Sequence, residues 1–306
     1  MSSARRLWWL HATLLGAGVL GLASALVAVA RLVDFELPSA SELAAACRGV
    51  GLGELNLASG FVILVGSGGL AAVVLSLRAA VRELAAVRRL RRALPVLGPG
   101  SDDNTIVIDA ERPLAFCVGP LRPLVYVSRG ALETLDRDEV TAVLAHEAHH
   151  AKRRDPLRLL VARSLAEGLF FLPGLRRLAQ RYAALAEVAA DEAAVRAVGS
   201  PKPLAAALLA FDAHPSPVAV GIAPERVDHL LGRRASWELP FMLLAASAAT
   251  AGALLALSIR LATQPGHASV GLPELAAQAC MLAMAAAPLV LGATALLGAL
   301  RLARRS

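Results

Sequence analysis

The stretch His146-Glu147-Ala148-His149-His150 holds two histidines four residues apart, with a glutamate directly after the first. On an α-helix, residues i and i+4 lie about 40° apart around the axis, so His146 and His150 share one face. Two imidazoles placed in this way can share one Zn²⁺, which takes nitrogen ligands in tetrahedral geometry. Glu147 projects about 60° beyond His150 and can reach a water on the metal without displacing a ligand. A metal that acidifies water, beside a carboxylate that takes its proton, can hydrolyse a peptide bond. The bland alternative is three fixed positions coinciding on an ordinary polar helix face.

Two neighbouring signals weigh against coincidence. Downstream, Glu187 and Asp191 are again four apart, in an Ala-rich helical segment ended by Gly199 and Pro201. Glu187 can be the third metal ligand, and Asp191, one turn on, can accept a hydrogen bond from a ligand imidazole and fix its tautomer. An ordinary acidic helix face is the alternative, and Glu192 fits it better. Upstream, Asp136 is a good N-cap and Glu139 completes a capping box. Val140, Val143 and Leu144 follow at helical spacing. This predicts a helix from about Arg137 to about Arg153, stopped or bent at Asp155-Pro156.

Elements that could position the site come next. Thr105–Asp109, Leu114–Val118 and Leu124–Ser128 read as strands, with Gly119-Pro120 as a turn. Leu94 to Asn104 reads as a linker rich in Pro, Gly and Asp. A small sheet just before the metal helix offers an edge strand to which substrate backbone could add. Cys117 reads as a small, half-buried sheet residue. With Cys47 and Cys280 it is too isolated for a disulfide framework or a zinc ribbon.

The rest of the chain points to a membrane. Hydrophobic residues make up 57% of the chain and mean hydropathy is +0.59, too high for a soluble domain. Ala12–Ala30, Leu55–Leu77, Leu239–Ile259 and Leu275–Leu300 read as four spans; Ala12–Ala30 could instead be a signal peptide, but its length favours a retained helix. Arg5-Arg6, the cluster Arg78 to Arg92 and the terminal Arg301, Arg304 and Arg305 place both termini and the central domain in the cytoplasm. Arg260 runs against this rule. The net charge of +7 is therefore read as topology anchors on anionic lipid, and direct nucleic-acid binding is not expected. Leu157–Leu172 is interrupted by Arg158, Arg163 and Glu167. If it crossed, Glu187 would lie on the other side of the membrane from His146, so it reads as a helix packed in the domain or lying at the membrane surface. The expected division is 1–77 (two spans and a short outer loop), 78–238 (cytoplasmic domain) and 239–306 (two spans and a basic tail).

Phe116-Cys117-Val118-Gly119-Pro120-Leu121-Arg122-Pro123, then His146 to Asp155, then Glu187-Val188-Ala189-Ala190-Asp191 resemble the BlaR/MecR-type integral membrane zinc metallopeptidases over roughly residues 60–232. The resemblance implies a mainly α membrane protein: four transmembrane helices around a cytoplasmic zincin-like α+β domain containing a small sheet, in a bacterial inner or plasma membrane. It implies zinc on His146, His150 and Glu187, Glu147 as general base, and Asp155 and Asp191 as supporting residues. It further implies a protein substrate, such as a cytoplasmic repressor in a signalling pathway. The chain ends at Ser306 without a penicillin-binding sensor domain or an outer S-x-x-K, so β-lactam sensing is not expected.

HtpX-type quality-control proteases share H-E-x-x-H and Glu-x-x-x-Asp. They differ at Leu114 and in their later His-Pro and Arg motif, which His214-Pro215 and Arg226 match loosely. For the oxyanion the candidates are Tyr182, His214, Arg226 and His229. Arg226 is favoured as permanently charged, and Tyr182, on the opposite flank from Glu187, reads as packing. A transducer with a structural zinc site and a metal-free membrane protein are the rival classes. Bound zinc would eliminate the second, and dependence of proteolysis on Glu147 would eliminate the first.

Overall fold

A computed structural model of the chain describes residues 3–34, 39–41, 44, 57–100, 102, 104–213, 241–263, 270–271 and 275. It is mainly helical with a small mixed sheet. Among the described residues three helices are both long and apolar: α1 (Ser3–Leu32), α2 (Leu57–Ala93) and α8 (Phe241–Thr263). They contain segments long and apolar enough to cross a membrane, Leu7–Arg31, Gly60–Ala93 and Phe241–Arg260. Their Leu- and Ala-rich composition favours helix, and in hydrocarbon every backbone polar group must be bonded within the segment. The expected fourth span, apart from Leu275, lies outside the described residues. α2 does not end with its apolar run: the basic stretch continues the same helix to Ala93, about 24 Å beyond Leu77 at 1.5 Å per residue.

The chain forms two compact units, residues 1–18 with 72–250, and residues 19–71 with 251–306. In the second, Ala25 and Ala28 of α1 pack on Phe61, Val62 and Val65 of α2, and β1 (Val33–Asp34) pairs in parallel with β6 (Val270–Gly271).

The first unit carries the sheet. Its strands are β2 (Val96–Pro99), β3 (Thr105–Ile108), β4 (Ala115–Val118) and β5 (Leu124–Ser128), in the order β2-β3-β5-β4. β3 and β5 are parallel, while β2 and β4 are antiparallel edges. The segment expected to be a linker thus contributes β2. Its Gly and Pro content suits an edge, where missing donors face away from the ladder, and the register slips between Val96 and Gly98. Ser128, fully buried, caps α3 (Arg129–Thr134) by accepting from Ala131 N (3.0 Å). It also accepts from Leu114 N (2.8 Å) and donates to Arg112 O (2.8 Å), which pins the start of edge strand β4.

Helix α4 (Arg137–Arg153) lies on this sheet. The capping box is formed: Asp136 Oδ1 accepts from Asp138 N and Glu139 N, and Glu139 Oε2 accepts from Asp136 N. Val143 packs with Val127, Ala131, Leu135 and Ala207. Ala142 packs with Ala194 and Leu204, so α4 is wedged between the sheet, α6 (Pro173–Val198) and α7 (Lys202–Asp212). Arg154 adopts the left-handed conformation (φ 54°, ψ 40°), and Pro156, lacking an N–H, cannot extend the ladder of α4. The chain therefore restarts at once as α5 (Asp155–Gly168).

α5 has 14 residues, about 21 Å, too short for a hydrocarbon core of about 30 Å. It is not one of the membrane-capable helices. The α5–α6 turn packs along the middle of the long helices. Gly18 of α1 leaves room for Leu172, whose Cδ1 would stand 2.5 Å from a Cβ there. Gly168 sits against Ala72 and Ser76 of α2, where any Cβ would collide with the Ala72 carbonyl. Gly174 N donates to Ser247 Oγ of α8 (2.9 Å). Two of the three charges that interrupt the apolar run are matched by α2: Arg82 pairs with Glu167 (2.9 Å) and Arg163 with Glu83 (3.8 Å). Both pairs are largely exposed, so they specify register more than they stabilise.

Candidate metal centre

His146 and His150 are both buried on one face of α4, against α6, which carries Glu187 and Asp191 one turn apart. His146 Nε2 and His150 Nε2 stand 3.2 Å apart. Glu187 completes a triangle, with Oε2 3.5 Å from His146 Nε2 and Oε1 3.5 Å from His150 Nε2. These three residues form the one group among the described residues whose ligand atoms could hold a metal ion. Ligands on a tetrahedral zinc at 2.0–2.1 Å are separated by about 3.4 Å, so the spacing fits without rearrangement.

The far side of each ring is occupied by a carboxylate. His146 Nδ1 lies 3.0 Å from Asp191 Oδ1, and His150 Nδ1 lies 3.0 Å from Asp155 Oδ2. Asp191 is 0% exposed and Asp155 1%. A carboxylate at Nδ1 selects the tautomer with its proton there, leaving both Nε2 lone pairs pointed at one another and at Glu187. Three electron-pair donors converging on one point repel unless a cation lies between them. The donor set therefore fits a divalent metal.

Asp155 sits there because of the break after α4. The left-handed Arg154 turns the chain so that the first residue of α5 faces back onto His150. Burial pushes the Asp155 carboxyl up, but hydrogen bonds from His150 and Tyr182 outweigh it and hold the group below its usual range. Tyr182 is more than packing. Its hydroxyl donates to Asp155 Oδ1 (2.8 Å) and accepts from Arg158 Nη1 (3.3 Å), and the Arg158 guanidinium lies 5.3 Å from the Trp8 ring centre. A continuous chain thus runs from the start of α1 to His150. Burial, with the neighbouring Asp155 charge, raises the Tyr182 phenol above its ordinary pKa. The sequence held one signal: a tyrosine in an apolar helix stripe needs a partner for its hydroxyl once buried.

Glu147, half-buried on α4, acts on Cys117 of β4. Burial first, then the charges of Glu147 and Asp155, push the Cys117 thiol up to about 12. His149 stays outside the metal group, and burial, with help from Arg153 and His150, lowers it to about 4. His214, Arg226 and His229 lie outside the described residues.

The site is placed along α1 by its neighbours. Trp8 packs on Tyr182 (ring centres 5.0 Å apart), while Gly18 meets Leu169 and Leu172 at the base of α6. α6 therefore runs antiparallel to α1, and Glu187, five residues past Tyr182, lies about 7.5 Å further along. The metal group sits just beyond the N-terminal end of an apolar, membrane-capable segment.

Comparison with known proteins agrees with this geometry. The chain matches protease HtpX homologues at 39% identity over 88 residues in Salinibacter ruber (28% of this chain, 30% of that protein). In Aquifex aeolicus the identity is 40% over 75 residues (24% and 25%). The chain thus matches less than a third of the length of these curated relatives. The model of the BlaR1 peptidase M56 family matches residues 51–234, which contain α4, the break at Arg154 and α6. With well over half of its length covered and the His-His-Glu group inside that span, this membrane protein belongs to the BlaR1 peptidase M56 family.

Proposed function

We propose that the chain is a zinc-dependent endopeptidase that cleaves a cytoplasmic or juxtamembrane protein, built as a zincin-like domain among four membrane spans. The observation that carries this is the opposed Nε2 pair of His146 and His150, backed on both sides by carboxylates and closed by Glu187. Zinc, when bound there, would supply a Lewis acid for water and for the substrate carbonyl. Glu147 would take the proton of the attacking water and return it to the departing amine. His150 and His146 would be held in orientation by Asp155 and Asp191. β4 is the sheet edge packed against α4, and the substrate backbone would add to it. Arg226 would donate to the developing oxyanion. A cytoplasmic transcriptional repressor suits a site at the cytoplasmic membrane surface. The local identity to HtpX homologues supports a second reading, a quality-control protease with broader substrates.

One experiment tests the activity. Membranes and cytosol from cells carrying wild type or Glu147→Gln are compared by mass spectrometry of newly formed protein N-termini. Cleavages on the cytoplasmic side that vanish in Glu147→Gln, while the variant retains its zinc, are expected. Identical N-termini in both would sink the endopeptidase and leave a transducer with a structural metal. Many unrelated cleavages would favour the quality-control reading over a single repressor.

A further inference from the structure

Trp8 and Trp9 of α1, Arg153 at the end of α4 and Arg158 in α5 enclose a cavity of about 330 Å³. Among the described residues no acidic side chain lines it. Arg158 lies over the Trp8 ring, which attracts the guanidinium by cation–π interaction, and Nη1 is used on Tyr182. Arg153 Nε is 3.9 Å from Asp155 Oδ1, outside hydrogen-bond range, and Asp155 is already committed to His150 and Tyr182. Two guanidiniums therefore face one cavity with donors to spare, where their mutual repulsion is relieved by an anion. Their planar forks match phosphate oxygens in pairs.

Position decides which phosphate. Trp8 and Trp9 are the second and third residues of the apolar segment Leu7–Arg31, and tryptophan prefers the level where hydrocarbon meets headgroups. Trp9 is 58% exposed and Leu10 beside it is also exposed, giving an apolar surface leading from the cavity along the helix. Basic side chains at this level attract anionic lipid. We propose that this cavity binds the phosphate headgroup of an anionic membrane phospholipid, with the acyl chains lying along α1. The proposal concerns binding alone and stands with or without metal in the neighbouring site.

Full-length protein is delipidated in mild detergent, offered phosphatidylglycerol, phosphatidylcholine or inorganic phosphate, and examined by native mass spectrometry. Wild type should retain phosphatidylglycerol over phosphatidylcholine, and Arg153→Gln/Arg158→Gln should lower that retention by about tenfold or more. Arg129→Gln/Arg196→Gln, the same charge change on exposed helices elsewhere, should retain it as wild type does. Equal loss in both double variants, or loss in neither, overturns the site. So does displacement of the lipid by inorganic phosphate at equal concentration, which would mark a soluble-anion site. If the first double variant fails to fold, wild type is labelled with a phosphatidylglycerol carrying a photoreactive headgroup. Labelling of peptides containing Trp8-Trp9 or Arg153–Arg158 supports the site, and labelling confined to other peptides overturns it.

Discussion

The two imidazoles of the candidate metal centre are alike at the front and braced differently behind. His146 is backed by Asp191, 45 residues away in sequence and fully buried in α6. His150 is backed by Asp155, five residues away, across the left-handed break at Arg154. The first brace is formed by a carboxylate on a packed helix. The second continues through Tyr182 and Arg158 to Trp8, at the start of an apolar membrane-capable segment. The same contact, a carboxylate at Nδ1, is thus built once from helix packing and once from a turn. The turn-built copy is connected onward to the membrane-facing helix.

Removing what both histidines share has the largest expected effect. Glu187→Ala should lose most of the bound metal, measured as zinc per chain on purified protein, because two imidazoles alone leave half of a tetrahedral shell to solvent. Full zinc retention would remove Glu187 from the ligand set.

The braces themselves come next. Asp191→Asn and Asp155→Asn should each weaken metal affinity by about 10- to 100-fold, as loss of a ligand's hydrogen-bond partner typically does. Asp155→Asn also disturbs Tyr182 and should lower the melting temperature below that of wild type. An unchanged melting temperature would mean that the Tyr182 branch is inert.

Tyr182→Phe isolates that branch. It leaves the ring packed among Leu7, Leu178 and Leu185 and removes only the hydroxyl. The expected cost is about 1–2 kcal/mol in chemical denaturation, from the lost hydrogen bonds to the buried Asp155 carboxylate and from Arg158. Metal affinity should fall by less than in Asp155→Asn. A variant as stable as wild type would show that the chain from Trp8 carries no energy.

Cys117 gives the smallest effect, silent at neutral pH. Its folded pKa of about 12 lies above an unfolded value of about 8.5. Between these values the unfolded state has lost a proton that the folded state keeps. Folding stability from this group is therefore full below about pH 8.5 and falls as pH rises toward 12. Cys117→Ser should match wild type at pH 7 and resist this alkaline loss, checked by melting temperature against pH. Since the Asp155 charge helps raise the thiol, Asp155→Asn should make the alkaline loss smaller and end it at a lower pH. An unchanged profile in Cys117→Ser would assign the alkaline loss elsewhere.

The histidine pair was legible because helix periodicity is local: His146 and His150 share a face in any helix, and Asp136 with Glu139 announces that helix by itself. Glu187 and Asp191 were legible for the same reason, as a second pair at the same spacing. The apolar stretches within α1, α2 and α8 could be read from composition, since length and hydropathy alone decide whether a helix can satisfy its backbone in hydrocarbon. β2 was hidden because Gly98 and Pro99 read as linker residues, and strand pairing is supplied by a partner rather than by the segment. Tyr182 was hidden because angular position on its own helix sets it apart from Glu187. Its hydroxyl reaches Asp155 only because α5 starts where a left-handed residue turns it. The packing of the α5–α6 turn against the long helices was likewise not in its own residues. Arg163 and Glu167 look unfit for that place until α2 brings Glu83 and Arg82 to meet them. The sequence by itself determined which residues could bind a metal and on which helices they lie. The tertiary structure alone decided that the two helices meet, which carboxylate stands behind each imidazole, and that one of these braces leads to the membrane-facing helix. These depend on contacts between residues far apart in the chain, which no local periodicity encodes.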